Sequence, residues 1–447
     1  MFLLKSIPKV DKFIARKEFS ELPLSLVTTL AKEIVSELRE NILSERVTTF
    51  SEEDLVKTLL QRYEELTKPS LQTLINATGI IVHTNLGRSL IDADAFLRVK
   101  DLVTNYNNLE FDLDSGKRGE RYSLISKCVC RLLGCEDVLI VNNNASAVFL
   151  ILNTFAKKKE VVVSRGELVE IGGSFRVPDV MKQSGAKLKE VGTTNKTHLY
   201  DYEKAISKKT AMLMKVHKSN YSIEGFSSDV EFGEIVKLAY EKGLIDYYDM
   251  GSGHVFDLPY GLDEPSVLDY MKLNPSLLSF SGDKLLGSVQ AGIIVGKKEY
   301  IKELKKNQLL RMLRVDKLTL ALLEESFKAV LLGNKEQIPT IKMLFCSLDE
   351  LRDDAKEVQS QIKQNIKTKI VDTKTLIGGG TTPNKTIPSI ALAVDAKNIK
   401  VKKLQKLFRE RSIIGRIEDD EFLLDFRTIQ KTQLQQVADA INEIADV

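Results

Sequence analysis

The sequence predicts an α/β protein built on a mainly parallel sheet, with a helical segment before it and a smaller α/β domain after it. Three observations carry this. From Leu74 onward, short apolar runs alternate with helical stretches; the residues before that are helical in pattern; and the tail beyond about residue 365 returns to strands. At 447 residues the chain exceeds one ordinary core, so several domains are expected. We place them at 1–68, 69–330 and 331–447.

In the first segment Leu26, Leu30, Ile34, Leu38 and Ile42 recur every four residues, a helical stripe. A second helix opens at Ser51, where Ser51-x-x-Asp54 has the form of a capping box before LVKTLLQRYEEL. TKPS at 67–70 marks the boundary. The strand candidates of the middle region are VLIVNNN (138–144), VVVSRGE (161–167), AMLMKVH (211–217), LIDYYDMGS (244–252), LLSFSGD (277–283) and AGIIVGKK (291–298). Helical stretches such as DVEFGEIVKLAYEKG lie between them, which argues a parallel sheet with helices on both faces. A helix-rich stretch follows to about 365. The tail then reads strand, GGGTTP turn, strand (IPSIALAV), helix (KNIKVKKLQKLFRERS), strand, helix. There is no internal repeat.

Composition narrows the function. Hydrophobic content of 43% and charged content of 28% are those of a globular protein. A net charge of +3 does not announce a nucleic-acid binder by bulk charge. MFLLKSIPKVDKF holds too short an apolar run for a secretory signal, and no apolar stretch of about 18 residues follows. A cytoplasmic location is expected, with no membrane and no DNA as partner. Cys128, Cys130, Cys135 and Cys346 form no CxxC pair or zinc pattern, and His83, His198, His217 and His254 show no ligand spacing. No metal is expected.

Chemistry in an open parallel sheet gathers at the carboxyl ends of strands. Three strand ends stand out. In NNNASAVFLILNTF, asparagines break an apolar strand and the small residues Ala145 and Ser146 open a helix after Asn144. A helix N-terminus with small side chains seats a phosphate; an ordinary N-cap would look the same. In DYYDMGSG, Asp249 ends a strand, where a carboxylate calls for a cationic partner such as a protonated pyridine; a loop cap is the plain alternative. In SFSGDKLLG, Lys284 follows 35 positions later at the next strand tip, among Ser281, Gly282 and Asp283. A lysine, an aspartate and a phosphate seat together point to pyridoxal phosphate. Arg88 sits in INATGIIVHTNLGRSL, and Arg311 and Arg314 share one helix face in QLLRMLRVDK at i and i+3. Arginine groups suit multiply charged oxyanions, although from spacing alone a solvated helix face is the preferred reading of the pair.

INATGIIVHTNLGRS, SRGELVEIGGSFRVPDVM (164–181), DMGSG and SFSGDKLLGSVQAGIIVGK together resemble the bacterial selenocysteine synthases, the L-seryl-tRNA(Sec) selenium transferases. The likeness runs through essentially the whole chain. It implies a fold type I pyridoxal phosphate enzyme, a transferase that assembles as a homodecamer of dimers, with the helical N-terminal domain gripping the selenocysteine tRNA. Serine esterified to the tRNA would lose its hydroxyl and accept selenium from selenophosphate. By position, Lys284 is implied as the Schiff-base lysine with Asp283 beside it. Arg88, Arg311 and Arg314 match the arginines that hold the selenium donor. Asp249 matches the ring-nitrogen aspartate of the wider fold type, by spacing as well as motif, while the phosphate seat at Asn144, Ala145 and Ser146 and a phosphate contact at Ser281 come from the reading of the strand tips. Asp283 is also a candidate acid for the leaving hydroxyl. Arg427, in LDFRT, is expected to be structural or tRNA-related, since an aminoacyl ester offers no free carboxylate to clamp.

The sequence departs from the family at Ser288 and Val289, where Gly and Pro are expected, in the loop after the lysine. The N-terminal segment carries 11 basic residues against 12 acidic ones, so Lys5, Lys9, Lys12, Arg16 and Lys17 must cluster to bind tRNA phosphates. Two rivals share the motifs. A related lyase or transaminase acting on a small phosphorylated amino acid would not need residues 1–68. A tRNA-binding protein that lost its chemistry would not need an intact lysine and aspartate.

Overall fold

The computed structural model describes residues 2–168, 170–171, 175–218, 221, 223, 225–262, 264–363, 366–379, 385–396 and 399–445. The chain divides into two compact units, Met1–Thr73 and Leu74–Val447. In the first, helix Leu24–Leu43 buries Val27, Leu30, Ala31, Ile34 and Leu38 along one face, the 3.6-residue spacing of an amphipathic helix. That face meets Leu55, Val56 and Leu59 of helix Glu52–Thr67. Phe13 and Phe19 close the cluster edge to face, 5.5 Å apart. Ser51 caps the second helix by accepting the Asp54 amide at 3.1 Å. The Asp54 carboxylate takes the Ser51 hydroxyl at 2.6 Å rather than the Ser51 amide, so only half of the expected capping box forms. Lys5, Lys9, Lys12 and Lys17 are exposed; Arg16 is engaged by Glu18 at 2.8 Å and Glu52 at 3.1 Å.

The second unit holds two sheets. We number its strands β1 (Ile75–Ala77), β2 (Asp137–Val141), β3 (Glu160–Ser164), β4 (Lys187–Val191), β5 (Thr210–Val216), β6 (Ile245–Gly251), β7 (Leu277–Ser281), β8 (Gly292–Gly296), β9 (Lys367–Leu376), β10 (Thr386–Asp395), β11 (Ile413–Glu418) and β12 (Glu421–Asp425). The large sheet has the order β2-β8-β7-β6-β5-β3-β4. Its neighbours are parallel except at β8, which runs antiparallel to β7 and β2. β7 and β8 are buried throughout, as strands covered on both faces must be. β4 had no apolar run to betray it: KLKEV lies at the edge of the sheet with only Val191 buried.

The small sheet, β1-β11-β12-β10-β9, joins distant parts of the chain. β1 pairs in parallel with β11, Ile75 opposite Ile413. Where the sequence reads one strand near the end there is a hairpin. Asp419 and Asp420 both take left-handed conformations, φ 47° and 62°, as a two-residue turn between twisted strands requires. Gly378 and Gly379 of the GGGTTP turn lie just after β9, and residues 380–383 fall outside the described residues, as do residues 169 and 172–174 of the SRGELVEIGGSFRVPDVM block.

The segment that leaves β1 is bound to the small sheet. Asp425 is fully buried, accepting Ser389 Oγ at 2.6 Å, the Arg427 amide at 3.0 Å and Arg416 Nη1 at 2.6 Å. Arg416 also donates to the Thr78 carbonyl at 2.5 Å, and Thr428 Oγ1 accepts the Gly79 amide at 3.0 Å. At Gly79, φ is +83° and a β-carbon would strike the Asp425 carboxylate, so glycine is required. Removing one partner strands the other as a buried charge. We expect Arg416→Met to lower the urea stability of the full chain by about 3 kcal/mol. A loss under about 1 kcal/mol, the scale of one ordinary hydrogen bond, would mean that Ser389 and the Arg427 amide suffice for Asp425.

Candidate active site

Lys284 stands three residues beyond the end of β7. Its turn is closed by the Gly287 amide on the Lys284 carbonyl at 2.9 Å and the Ser288 amide on the Gly282 carbonyl at 2.9 Å. Gly287 has φ +75°, and a β-carbon there would meet Ile338 at 2.5 Å. Ser288 gives its hydroxyl a partner in Ser326 Oγ at 2.8 Å, so the departure from the family's glycine is accommodated. The Lys284 side chain keeps some exposure, but its amine is lowered from the usual lysine range. Desolvation is the main cause and the Arg88 guanidinium adds to it, while Asp249 and Asp283 pull the other way.

Arg88 reaches this turn from the segment anchored by Asp425. The Val82 amide bonds the Ile377 carbonyl at 2.8 Å, and Gly87 and Arg88 both take positive φ, 88° and 64°. A left-handed arginine is strained backbone of the kind held at functional sites. Its Nη1 meets Asp283 Oδ2 at 2.7 Å. Ser89 completes the clamp, its hydroxyl on the Lys284 carbonyl at 2.6 Å and its amide on the Asp283 carbonyl at 3.3 Å. Arg88, Asp283 and Lys284 are thus brought together, by a serine that motif reading passed over.

Asp249 lies one strand away on β6, buried, its carboxyl raised by desolvation and only partly relieved by hydrogen bonds from Asn144 Nδ2 at 2.7 Å and the Gly251 amide at 3.1 Å. Asn144 opens helix Asn144–Phe155. Asn143 Oδ1 already accepts the Ser146 amide at 2.9 Å as the N-cap, which leaves the amides of Asn144 and Ala145 without an intrahelical acceptor. Ala145 is exposed and Ser146 half-buried; Ser281 is buried as the last residue of β7. Of the eight buried side-chain atoms without a partner among the described residues, four are Asn142 Oδ1, Asn144 Oδ1, His217 Nδ1 and Ser252 Oγ. All four belong to residues just past the carboxyl ends of β2, β5 and β6. Native interiors satisfy such groups, so their concentration at one sheet edge fits a polar ligand. A buried carboxylate with no salt bridge among the described residues, a helix N-terminus and a desolvated amine suit the pyridine nitrogen, phosphate and aldehyde of pyridoxal phosphate respectively.

The remaining arginines sit differently. Arg311 ends the short 3-10 turn Gln308–Arg311, and Arg314 lies in the irregular stretch after it. The expected shared helix face is therefore corrected: the Leu313 carbonyl is drawn out to the Asn142 amide at 3.0 Å, which ends the helix before Arg314. Arg311 is exposed with no ion pair among the described residues. Arg314 lies 3.6 Å from Glu110, which Arg121 and Arg118 approach more closely at 2.7 and 2.9 Å. Arg427 is buried, its Nη1 on the Met343 and Cys346 carbonyls at 2.9 and 3.2 Å and its Nη2 on the Pro388 carbonyl at 2.6 Å. That role is structural. Besides Ser89, sequence reading missed the His217–Glu264 contact at 3.0 Å and the buried Glu167–Lys215 pair at 3.2 Å. His217 and Glu167 each carried a signal, as polar residues ending an apolar run, whereas Ser89 and Glu264 carried none.

An open, mainly parallel sheet with a lysine at one strand tip and a buried aspartate on the next defines an enzyme of the fold type I pyridoxal phosphate class. Its solved structural relatives include a D-glucosaminate-6-phosphate ammonia-lyase, TM-score 0.62 and 20% identical, covering 86% of this chain and 98% of that one. The chain belongs to the L-seryl-tRNA selenium transferase family, whose profile matches residues 74–430. It is 72% identical to the L-seryl-tRNA(Sec) selenium transferase of Sulfurimonas denitrificans, across 100% of both chains. The protein of the same name from Aliarcobacter butzleri is 60% identical over 99% of both.

Because Arg88 repels the Lys284 ammonium, and because removing it frees Asp283 to attract that ammonium, Arg88→Met should raise the Lys284 amine. The pH profile of Lys284 labelling by an amine-reactive aldehyde should then move to higher pH. An unmoved profile would show that desolvation alone sets this amine.

Proposed function

We propose that the protein converts L-seryl-tRNA(Sec) to L-selenocysteinyl-tRNA(Sec), with pyridoxal 5'-phosphate as cofactor and selenophosphate as the selenium donor. What carries the reading is a desolvated lysine one strand from a buried aspartate, in a chain 72% identical over its whole length to a protein of that name. Lys284 would hold the cofactor's aldehyde carbon, Asp249 its ring nitrogen, and Asn144, Ala145, Ser146 and Ser281 its phosphate. Bound there, the cofactor supplies an electron sink for loss of the seryl α-proton and hydroxyl. Lys284 Nζ accepts the α-proton. Asp283 orients Arg88 through Nη1, and Arg88, Arg311 and Arg314 hold the selenium donor, whose negative charges suit converging guanidinium groups. Arg311 has no ion pair among the described residues and Arg314 only a loose one, which supports a role for both in binding an outside anion.

Residues 1–68 bind the tRNA in this reading, residues 69–330 hold the cofactor and residues 331–447 form the smaller domain. The exposed lysines at positions 5, 9, 12 and 17 support the first assignment. We assign the protein to the cytoplasm; no helix among the described residues is long and apolar enough to cross a membrane. We further propose a homodecamer of five dimers. Phe96, Leu97, Phe111 and Leu113 are 47%, 63%, 49% and 73% exposed, and such exposed large apolar side chains support burial against a second copy.

Purified protein should be yellow, and borohydride should fix the cofactor to the peptide containing Lys284. Lys284→Ala should lower selenocysteinyl-tRNA formation by at least about a thousandfold. Turnover of free serine with none of seryl-tRNA(Sec) would instead identify a small-molecule lyase. Replacing Lys5, Lys9, Lys12 and Lys17 together by Glu should flatten the dependence of log affinity for tRNA on log salt by about 0.7 to 0.9 for each phosphate that is no longer neutralised. An unchanged slope would place the tRNA elsewhere.

A further inference from the structure

KCVCRLLGCE (127–136) has no CxxC spacing, yet the fold brings two of its thiols into contact. Helix Ser123–Leu133 ends at Gly134, which takes a left-handed φ of 70° and gives its amide to the Cys130 carbonyl at 2.9 Å. The chain turns there toward β2, and Cys135 comes to lie beside Cys130. Cys135 Sγ donates to Cys130 Sγ at 3.5 Å, and both cysteines are free. Bonded sulfurs stand about 2 Å apart, so closing this pair asks for a movement of about 1.5 Å. The turn has room for it: a β-carbon at Gly134 would meet nothing within 4 Å.

The two thiols are unequal. Cys130 is half-buried, whereas Cys135 is only 9% exposed. The hydrogen bond from Cys135 holds the Cys130 thiol below the usual cysteine range against the opposing effect of burial. The charges around it are Asp137, which raises it, and Lys305, which lowers it. Lys305 is fixed by Asp137 at 3.0 Å and Glu120 at 3.1 Å. Cys135 is raised, first by that same hydrogen bond and then by burial. Burial also raises Cys128, and it pushes Cys346 up to about 11. One thiol is thus activated and reachable, with a protonated second thiol in contact behind it. An attacking and a resolving cysteine are arranged in this way. Neither belongs to the lysine site described above.

We propose that Cys130 and Cys135 form a reversible disulfide in exchange with small-molecule disulfides, Cys130 attacking and Cys135 resolving. The Cys130 thiolate bonds to one sulfur of the small disulfide, whose S–S bond breaks; the departing thiolate takes up a proton and leaves as a thiol. The Cys135 sulfur then bonds to Cys130 Sγ and expels the second half, which leaves as a thiol with the Cys135 proton. Both cysteine sulfurs are oxidised, and the small disulfide is reduced to two thiols. Transient pairs of this kind are the disulfides that reducing compartments allow. The inference is independent of the pyridoxal phosphate reading.

The full-length protein, with any cofactor it carries, is incubated with glutathione disulfide, alkylated, and digested with trypsin without reduction. Lys127 and Arg131 divide the segment, so the two cysteines fall in separate peptides, 128–131 and 132–157. These should appear joined, and they should join at least about tenfold faster than glutathione adds to Cys128 or Cys346. Dithiothreitol should part them again. Cys128→Ala should keep the link, which assigns it to Cys130. Cys135→Ala should leave glutathione standing on Cys130 and, without the hydrogen bond that lowers this thiol, should capture it more slowly. Glutathione that stays on peptide 128–131 of the wild type without a link overturns the inference, as does loss of the link in Cys128→Ala or first reaction at Cys128 or Cys346. Should Cys135→Ala not fold, as judged by circular dichroism, the wild-type and Cys128→Ala peptide maps decide alone.

Discussion

A lysine amine kept partly out of water between one guanidinium and two carboxylates is the constraint on which the rest of this structure depends. Desolvation lowers the Lys284 amine, and the two carboxylates, Asp249 and Asp283, raise it. Arg88 adds to the lowering of the Lys284 amine while its own charge is met by Asp283 at 2.7 Å. The arrangement holds only if two separate sheets keep their relation. Lys284 and Asp283 belong to the large sheet, whereas Arg88 hangs from a segment tied to the small one through Val82, Gly79 and Thr78. The return of β1 to pair with β11 is therefore part of the site's construction. Asp425, fully buried and met by a serine, an amide and an arginine, is its distant anchor.

Close approach is the second requirement. In a sheet covered on both faces, backbone groups can face a ligand only at the strand tips. Here the tips of β7, β8 and β2 come together because glycines line them. A β-carbon at Gly292 would collide with the Asn143 carbonyl, and one at Gly282 would lie 2.5 Å from the Val289 carbonyl. The antiparallel β8 thus lets the N-terminus of helix Asn144–Phe155 sit beside Asp249, close enough for the 2.7 Å bond from Asn144. The small residues that drew attention in the sequence serve backbone proximity as much as ligand space.

What could be read from the sequence follows from range. Six strands of the large sheet announced themselves as apolar runs, since burial on both faces is written locally. β4 did not, because an edge strand may keep its lysines. The pairing of Ile75 with Ile413, and the hairpin turned at Asp419–Asp420, depend on contacts or turn geometry that no local pattern carries. The same holds at the site. Lys284, Asp249 and Asn144 each ended a recognisable run, but Glu264 lies in a loop and gains meaning only through the imidazole 3.0 Å away. Arg311 and Arg314 looked like one helix face because spacing cannot show that Leu313 is pulled toward Asn142.

Arg427 shows how the chemistry of a substrate is written in what a fold does with its charges. An enzyme that grips a free amino acid needs an accessible guanidinium for the carboxylate. In this chain the arginine near the C-terminus is enclosed, three backbone carbonyls taking its Nη1 and Nη2 between 2.6 and 3.2 Å, with Tyr260 beneath it. It cannot turn outward without leaving those carbonyls unpaired in a buried place. An amino acid esterified to RNA has no such carboxylate, and the binding energy can come from the long nucleic acid instead. A guanidinium committed to the protein's own backbone is what that substrate permits. The cations left partly free, at Arg88, Arg311 and Arg314, are then available for an anion of a different kind.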